Sequence, residues 1–255
     1  MIDPLVAGET AATLRDAARH AARTALRPLA AAAALALLGA ARAADVPDTM
    51  AQRLRACTAC HGERGEGGGK DQYYPRLAGK PARYLDNQLR NFRDGRRRFP
   101  VMNYLIAPLS DDYLREIAGY FAAQEAPFAP PASRGTPAMR RRGEILVVDG
   151  DEARGLPPCS ACHGKTLTGR QPAIPGLVGL FPDYVAAQIG AWKSDQRHAM
   201  EPDCMRTIAK RLVPDDVAAI GTWLAAVAAP SDPRPAPATS QRLPLECGGL
   251  DPAAP

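Results

Sequence analysis

The chain has 255 residues and a nearly balanced charge, with 32 lysines and arginines against 27 acidic residues and a formal net charge of +5. This balance gives no indication of a nucleic-acid-binding protein, which would carry a strongly basic surface. Once a leader is removed, the length is enough for two small domains of roughly 90–100 residues each.

The first 43 residues have the layout of a bacterial secretory signal. A basic region is followed by an alanine and leucine run from Leu29 to Leu38 and then by Ala41-Arg42-Ala43, a small-x-small cleavage sequence. The apolar run is about 10 residues long, which is too short for a helix that spans a bilayer. We predict a cleaved signal peptide over residues 1–43 and a periplasmic protein. An uncleaved N-terminal anchor is the alternative.

Two copies of the pentapeptide Cys-x-x-Cys-His follow, at Cys57–His61 and Cys159–His163. This pattern attaches haem c: both cysteines form thioethers with one porphyrin, and the adjacent histidine supplies an axial nitrogen to the iron. A zinc site would need four clustered ligands, and a thioredoxin-like redox pair would not need the histidine. We therefore predict two covalently attached haem c groups, bound by the cysteines Cys57, Cys60, Cys159 and Cys162 and the axial histidines His61 and His163.

The sequence between and after these motifs repeats at a spacing of about 100 residues. The stretch Pro75–Gly79 is echoed by Pro175–Gly179, and a Tyr-x-x-x-Gln pattern begins at both Tyr84 and Tyr184. The order of features is the same in both halves, which indicates an internal duplication. Two tandem domains are therefore expected.

The boundaries of these domains follow from composition. Residues 126–138 are rich in proline and small residues and predict a linker, and the proline-rich residues 229–255 predict an irregular tail. The first domain then covers residues 44–125 and the second covers residues 139–228.

All the predicted secondary structure is helical, so the predicted fold class is all-α. Ser110 is a suitable N-cap for one helix, and Pro214 suits the first position of another. No alternation of useful length predicts a strand. The helices are expected over residues 47–57, 84–92, 111–124, 138–148, 184–192 and 214–228.

Methionine is the leading candidate for the second axial ligand of each iron. Met102 and Met205 each lie seven residues before a leucine that precedes the last helix of their half, so both occupy one position of the repeat, in a predicted loop. Met200 and His198 are alternatives in the second half, although both are out of register. Two methionines that only fill the core are the remaining alternative.

Charged runs and two further cysteines leave open questions. The run Arg96-Arg97-Arg98 predicts a solvated face, with pairing to haem propionates or to an acidic patch on a partner as the alternative. Cys204 and Cys247 remain after haem attachment. In an oxidising compartment they form either a disulfide that pins the tail near the second haem or two free or intermolecularly paired thiols.

The chain resembles the dihaem class I cytochromes c of the cytochrome c4 type over roughly residues 48–228. The resemblance depends on the two haem motifs, on Pro-x-Leu-x-Gly with a following Tyr-x-x-x-Gln, and on a methionine before a final helix. It implies two tandem class I cytochrome c domains, each a few short helices around one haem. It also implies that Pro75 and Pro175 accept a hydrogen bond from the haem histidines and that Met102 and Met205 are axial ligands. Cys204 and the tail with Cys247 depart from the family pattern.

The expected function is electron transfer and not catalysis, because two protein ligands would close both faces of each iron. The expected protein is a periplasmic carrier that moves single electrons from a dehydrogenase or a quinol-oxidising complex to a terminal oxidase or reductase. A peripheral association with the membrane is left open. The alternatives are the haem subunit of a flavocytochrome sulfide dehydrogenase or an alcohol dehydrogenase, and a dihaem enzyme such as a peroxidase or thiosulfate dehydrogenase.

Overall fold

The computed structural model describes residues 47–68, 74–128 and 135–250. The predicted signal peptide lies outside these ranges, and so does part of the predicted linker. From Asp48 onward the chain groups into one compact unit. Within the described ranges, no helix has the length and apolar character needed to cross a membrane.

The described part of the chain is mainly helical, as predicted, and the helices occur in a similar order in both halves. The first half contains α1 (Met50–His61), α2 (Ala82–Arg93), α3 (Pro100–Ile106) and α4 (Asp111–Ala122). The second half contains α5 (Pro137–Val148), α6 (Cys159–His163), α7 (Pro182–Lys193), α8 (Cys204–Arg211) and α9 (Pro214–Ala226). A small antiparallel pair of strands, β1 (Gly169–Arg170) and β2 (Ile174–Pro175), lies between α6 and α7.

Two of these helices differ from the prediction. Met102 and Met205 were expected in loops, but they lie on α3 and α8. Both helices span only about two turns, which is too short to show an apolar periodicity in the sequence. The methionines are therefore held on regular backbone.

The cores form where the predicted apolar faces meet. Leu114, Ile117 and Phe121 of α4 are at most 2% exposed, and the Ser110 side chain caps this helix by accepting from the N–H of Tyr113. In the second half α5 packs directly on α9. Gly143 permits this, because a Cβ there would lie 2.2 Å from the carbonyl oxygen of Ala219.

The two halves meet through the segments that follow α2 and α7. Arg97 and Arg197 form an antiparallel backbone bridge. Arg97 Nη2 donates to Gln188 Oε1 at 2.7 Å, and Arg197 Nη2 donates to Gln88 Oε1 at 2.9 Å. Each arginine also donates to the glutamine of its own half, at 3.0 Å and 2.6 Å. The pattern has the form of a local two-fold axis between the halves.

This junction corrects the prediction of a solvated face over residues 96–98. Arg98 is exposed, but Arg97 is only 9% exposed. Its partners in the other half, Tyr184 and Gln188, lie about 90 residues further along the chain, so a local charge run could not indicate them. The arginine is a structural part of the contact between the halves.

The last helix is tied to its neighbours by a buried carboxylate. Asp216 accepts from Arg154 Nη1 at 2.6 Å, from Arg142 Nη2 at 3.0 Å and from the N–H of Val213 at 3.2 Å. Burial alone would raise the pKa of Asp216, but these donors together hold that pKa below its usual value. The carboxylate therefore stabilises the fold when it is ionised.

We expect Asp216→Asn to lower the free energy of unfolding at neutral pH by about 2 kcal/mol, because it removes hydrogen bonds to a buried charge. The loss of unfolding free energy in the variant should have its whole size above about pH 4. It should become smaller as the pH falls through the lowered pKa of Asp216, because the carboxyl of the parent protein then becomes protonated. Denaturant titrations at pH 7 and pH 3 measure this. Asp112→Asn is the control, since its ion pair with Arg115 is exposed. Equal losses in the two variants, or a loss independent of pH, would contradict the assignment.

Candidate haem sites

Each predicted axial histidine lies at the C-terminal end of a helix, and its ring faces a proline carbonyl. His61 Nδ1 lies 2.9 Å from Pro75 O, and His163 Nδ1 lies 2.7 Å from Pro175 O. Because a carbonyl can only accept, Nδ1 carries the proton in both rings, and the lone pair of Nε2 is left for a metal. Both residues are 7% exposed.

The protonation state suits ligation. Burial lowers the pKa of His61 and His163 below the usual histidine value, although the proline carbonyls act in the opposite direction. Both imidazoles are therefore neutral at pH 7, which is the form that binds iron.

The local backbone explains why the proline carbonyls reach the histidines. A glycine with φ of +85° follows each histidine, at Gly62 and Gly164, and ends the helix there. In the first half the carbonyl of Gly65 then accepts from the N–H groups of Leu77 and Ala78, at 2.8 and 2.9 Å. These bonds fold the proline-containing loop back beneath the motif helix. The second half forms the same turn around Leu167.

The second half gathers its predicted site residues in one cavity. Around a mainly apolar space lie Cys159, Cys162, His163, Pro175 and Met205. The alternative ligands Met200 and His198 also line it. Burial raises the pKa of the Cys159 thiol to about 11 before any haem is attached. An apolar space with two thiols and a neutral imidazole at its wall fits a porphyrin.

The first half places its site residues on two anchored elements. Cys57 packs against the core around Leu54 and Phe121, and Cys60 and His61 complete the motif at the end of α1. Met102 is half-buried on α3. The structure thus positions the motif and the methionine separately in this half.

Short polar side chains hold the methionine helices in place. Asp203 caps α8 by accepting from the N–H of Arg206 at 3.0 Å, and its other oxygen accepts from Trp192 Nε1 at 3.2 Å. In the first half Asn103 Nδ2 donates to the carbonyl of Arg97 at 2.9 Å, and Asn103 Oδ1 accepts from the N–H of Phe99 at 2.7 Å. Each methionine is therefore fixed relative to the end of the preceding helix.

The tail closes the second cavity. The structure joins Cys204 to Cys247 in a disulfide with Cα atoms 5.1 Å apart, which decides between the two states that the sequence leaves open. Leu245 and Leu250 line the cavity beside it. The tail also reaches the first half, where Asn87 Nδ2 donates to the carbonyl of Gly249 at 3.0 Å.

Comparison with known proteins gives the family. The cytochrome c family model matches residues 49–103. A thiosulfate dehydrogenase electron acceptor of Thiomonas intermedia is 40% identical over 170 residues, which cover 67% of this chain and 77% of the relative. Cytochrome c4 of Pseudomonas aeruginosa is 33% identical over 192 residues, which cover 74% of this chain and 92% of the relative. The chain belongs to the cytochrome c4 family.

The fold of this cytochrome agrees with that membership. The crystal structure of reduced recombinant cytochrome c4 from Pseudomonas stutzeri matches with a TM-score of 0.60 and 29% identity, over 68% of this chain and 94% of that one. The class I cytochrome c fold is thereby confirmed. So is the prediction of two covalent haem c groups, which the family and the two motifs imply together.

Two residues that contribute to the second site, Asp203 and Lys80, were not identified from the sequence. Asp203 stands two residues before Met205, and an N-cap signal at that position could have indicated both the residue and the helix. Lys80 lines the second cavity although it belongs to the first half. The matching position of the repeat is occupied by Leu180. This difference between the two halves is the sequence feature that could have indicated a special role for Lys80.

We expect the Cys204–Cys247 bridge to stabilise the second half by about 2–4 kcal/mol, because it closes a loop of 43 residues in the unfolded chain. Cys204→Ser combined with Cys247→Ser should lower the free energy of unfolding by that amount. Reducing agent should destabilise the parent and leave the double variant unchanged. Alkylation of the unfolded, unreduced protein should label neither cysteine, and labelling of both would contradict the bridge.

Proposed function

We propose that this cytochrome is a periplasmic electron carrier which accepts electrons from a thiosulfate-oxidising dehydrogenase and delivers them to a terminal oxidase or reductase. The observation that carries the proposal is the 40% identity to a protein described as a thiosulfate dehydrogenase electron acceptor. Joining two thiosulfate ions through a sulfur–sulfur bond releases two electrons, and a carrier with two one-electron centres can take up both.

The proposal assigns a role to each site residue. Haem c supplies a one-electron ferric–ferrous couple when bound. The four motif cysteines would hold the two porphyrins, and His61 and His163 would each bind iron through Nε2. Pro75 and Pro175 accept from Nδ1 and fix the plane of each imidazole. Met102 and Met205 would each bind iron through the thioether sulfur.

These assignments favour a carrier over a catalyst. With a thioether and an imidazole bound, each iron would have no position left for a substrate. The protein then has to hold the porphyrins, exclude water from their faces and dock partners briefly. Redox encounters of this kind use small interfaces.

We expect Met102→Leu and Met205→Leu each to remove about half of the sulfur-to-iron charge-transfer absorbance and to lower one of the two reduction potentials, since methionine ligation raises the potential. Visible spectroscopy and a redox titration of each variant measure this. Met139→Leu, on α5, is the matched control and should leave both readouts unchanged. If Met205→Leu is silent while changes at Met200 or His198 remove the absorbance, the ligand assignment is wrong.

We expect the oxidised protein to be reduced rapidly by a thiosulfate dehydrogenase supplied with thiosulfate, and not by thiosulfate alone, because no substrate reaches the iron. Stopped-flow absorbance of the haem bands measures both rates. If the protein is not reduced by this dehydrogenase but is reduced by a quinol-oxidising complex, the proposed electron donor is wrong. Turnover of thiosulfate without a partner, or ready binding of carbon monoxide to one ferrous haem, would contradict the proposal that the protein is a carrier and not an enzyme.

Gel filtration of a periplasmic extract separates a free carrier from an enzyme subunit. A carrier should elute as a small protein on its own. Stoichiometric elution with a flavin-containing or quinone-containing protein would instead favour the haem subunit of a dehydrogenase complex.

A further inference from the structure

The second haem cavity contains one cation that comes from the other half of the chain. Lys80 follows Gly79 at the end of the first proline loop, and its side chain extends into the second cavity. Its Nζ donates to the carbonyl of Gly176 at 3.2 Å. Gly176 follows Pro175, whose own carbonyl holds His163. The ammonium thus touches the loop that orients the second axial histidine.

Within the described ranges, no carboxylate lies within ion-pair distance of the Lys80 ammonium. A cation placed in a mainly apolar cavity without an anion is costly, and burial lowers the pKa of Lys80 to about 8. The phenol of Tyr184 and the cation of Arg76 act on Lys80 from nearby, and the cavity wall also carries Arg197 and Asp203. The charge therefore acts on whatever occupies the cavity.

The positive charge of Lys80 is present at the second haem site and has no equivalent in the repeat. Two further cations at the junction, Arg97 and Arg197, come one from each half and bond to the glutamines of both halves in a symmetric pattern. Lys80 has no such counterpart, because the matching residue of the repeat is Leu180. A difference between the two sites can therefore arise from this lysine.

A nearby positive charge favours the ferrous state of a haem over the more positive ferric state. We propose that Lys80 raises the reduction potential of the second haem relative to the first, so that an electron shared between them rests mainly on the second. The exchange moves one electron from the first ferrous iron to the second ferric iron, and no bond or proton changes place. The inference requires the two-haem carrier of the proposed function but not any particular donor.

A redox titration of the purified protein without any partner tests the inference, with the two potentials assigned to their haems by NMR. At pH 6.5 the Lys80 ammonium is charged. Lys80→Met should shift the electron-sharing constant toward the first haem by about tenfold, the order of magnitude expected for the loss of one nearby charge at an effective dielectric constant of about 20. For a one-electron couple, tenfold corresponds to 59 mV. The shift should appear in the potential of the second haem alone.

Three further variants keep the test decisive. Lys80→Gln retains a donor for the Gly176 carbonyl and should shift the constant as Lys80→Met does, whereas Lys80→Arg retains the charge and should preserve the parent value. Lys210→Met removes an exposed lysine of the second half and should change the constant less than twofold. Unchanged potentials in both neutral variants, or equal shifts of both haems, would overturn the inference. Since no donor protein is present, this result is independent of whether thiosulfate dehydrogenase is the partner.

Discussion

The hydrogen bond from the histidine of each Cys-x-x-Cys-His motif to a proline carbonyl is the constraint on which both sites depend. A ligand imidazole must be neutral, must expose Nε2 and must not rotate, and one bond at Nδ1 meets all three requirements. It can form only if the chain reverses directly after the motif and returns beneath it. The glycines Gly62 and Gly164 and the turns around Gly65 and Leu167 accomplish this reversal, so much of the local backbone serves that single contact.

The two haem sites are not independent of each other. Side chains of α2 and the loop before it line the second cavity, and the tail that closes this cavity from the other side also touches α2 through Asn87. A change in the first half can therefore alter the second site without touching its ligands. Electron exchange between two centres depends on their relative placement, and shared walls keep that placement constant.

Local patterns predicted the structure well wherever the deciding contacts are local. The haem motifs, the cap at Ser110 and the apolar face of α4 all depend on neighbours within one or two helical turns, and the structure shows that cap and that face. The short helices α3 and α8 were missed because two turns show no periodicity. Arg97 was wrongly predicted to be solvated, and Lys80 was not identified at all. Both residues bond to groups in the other half of the chain, and local sequence patterns give no information about such contacts.

The symmetric contact between Arg97 and Gln188 on one side, and Arg197 and Gln88 on the other, is the arrangement found in a two-fold homodimer. A single half with this glutamine and arginine carries both sides of the contact and could pair with a copy of itself. Such a dimer would fall apart on dilution. In one covalent chain the second half is always present at a high effective concentration, so the paired arrangement of the two redox centres persists however dilute the protein becomes.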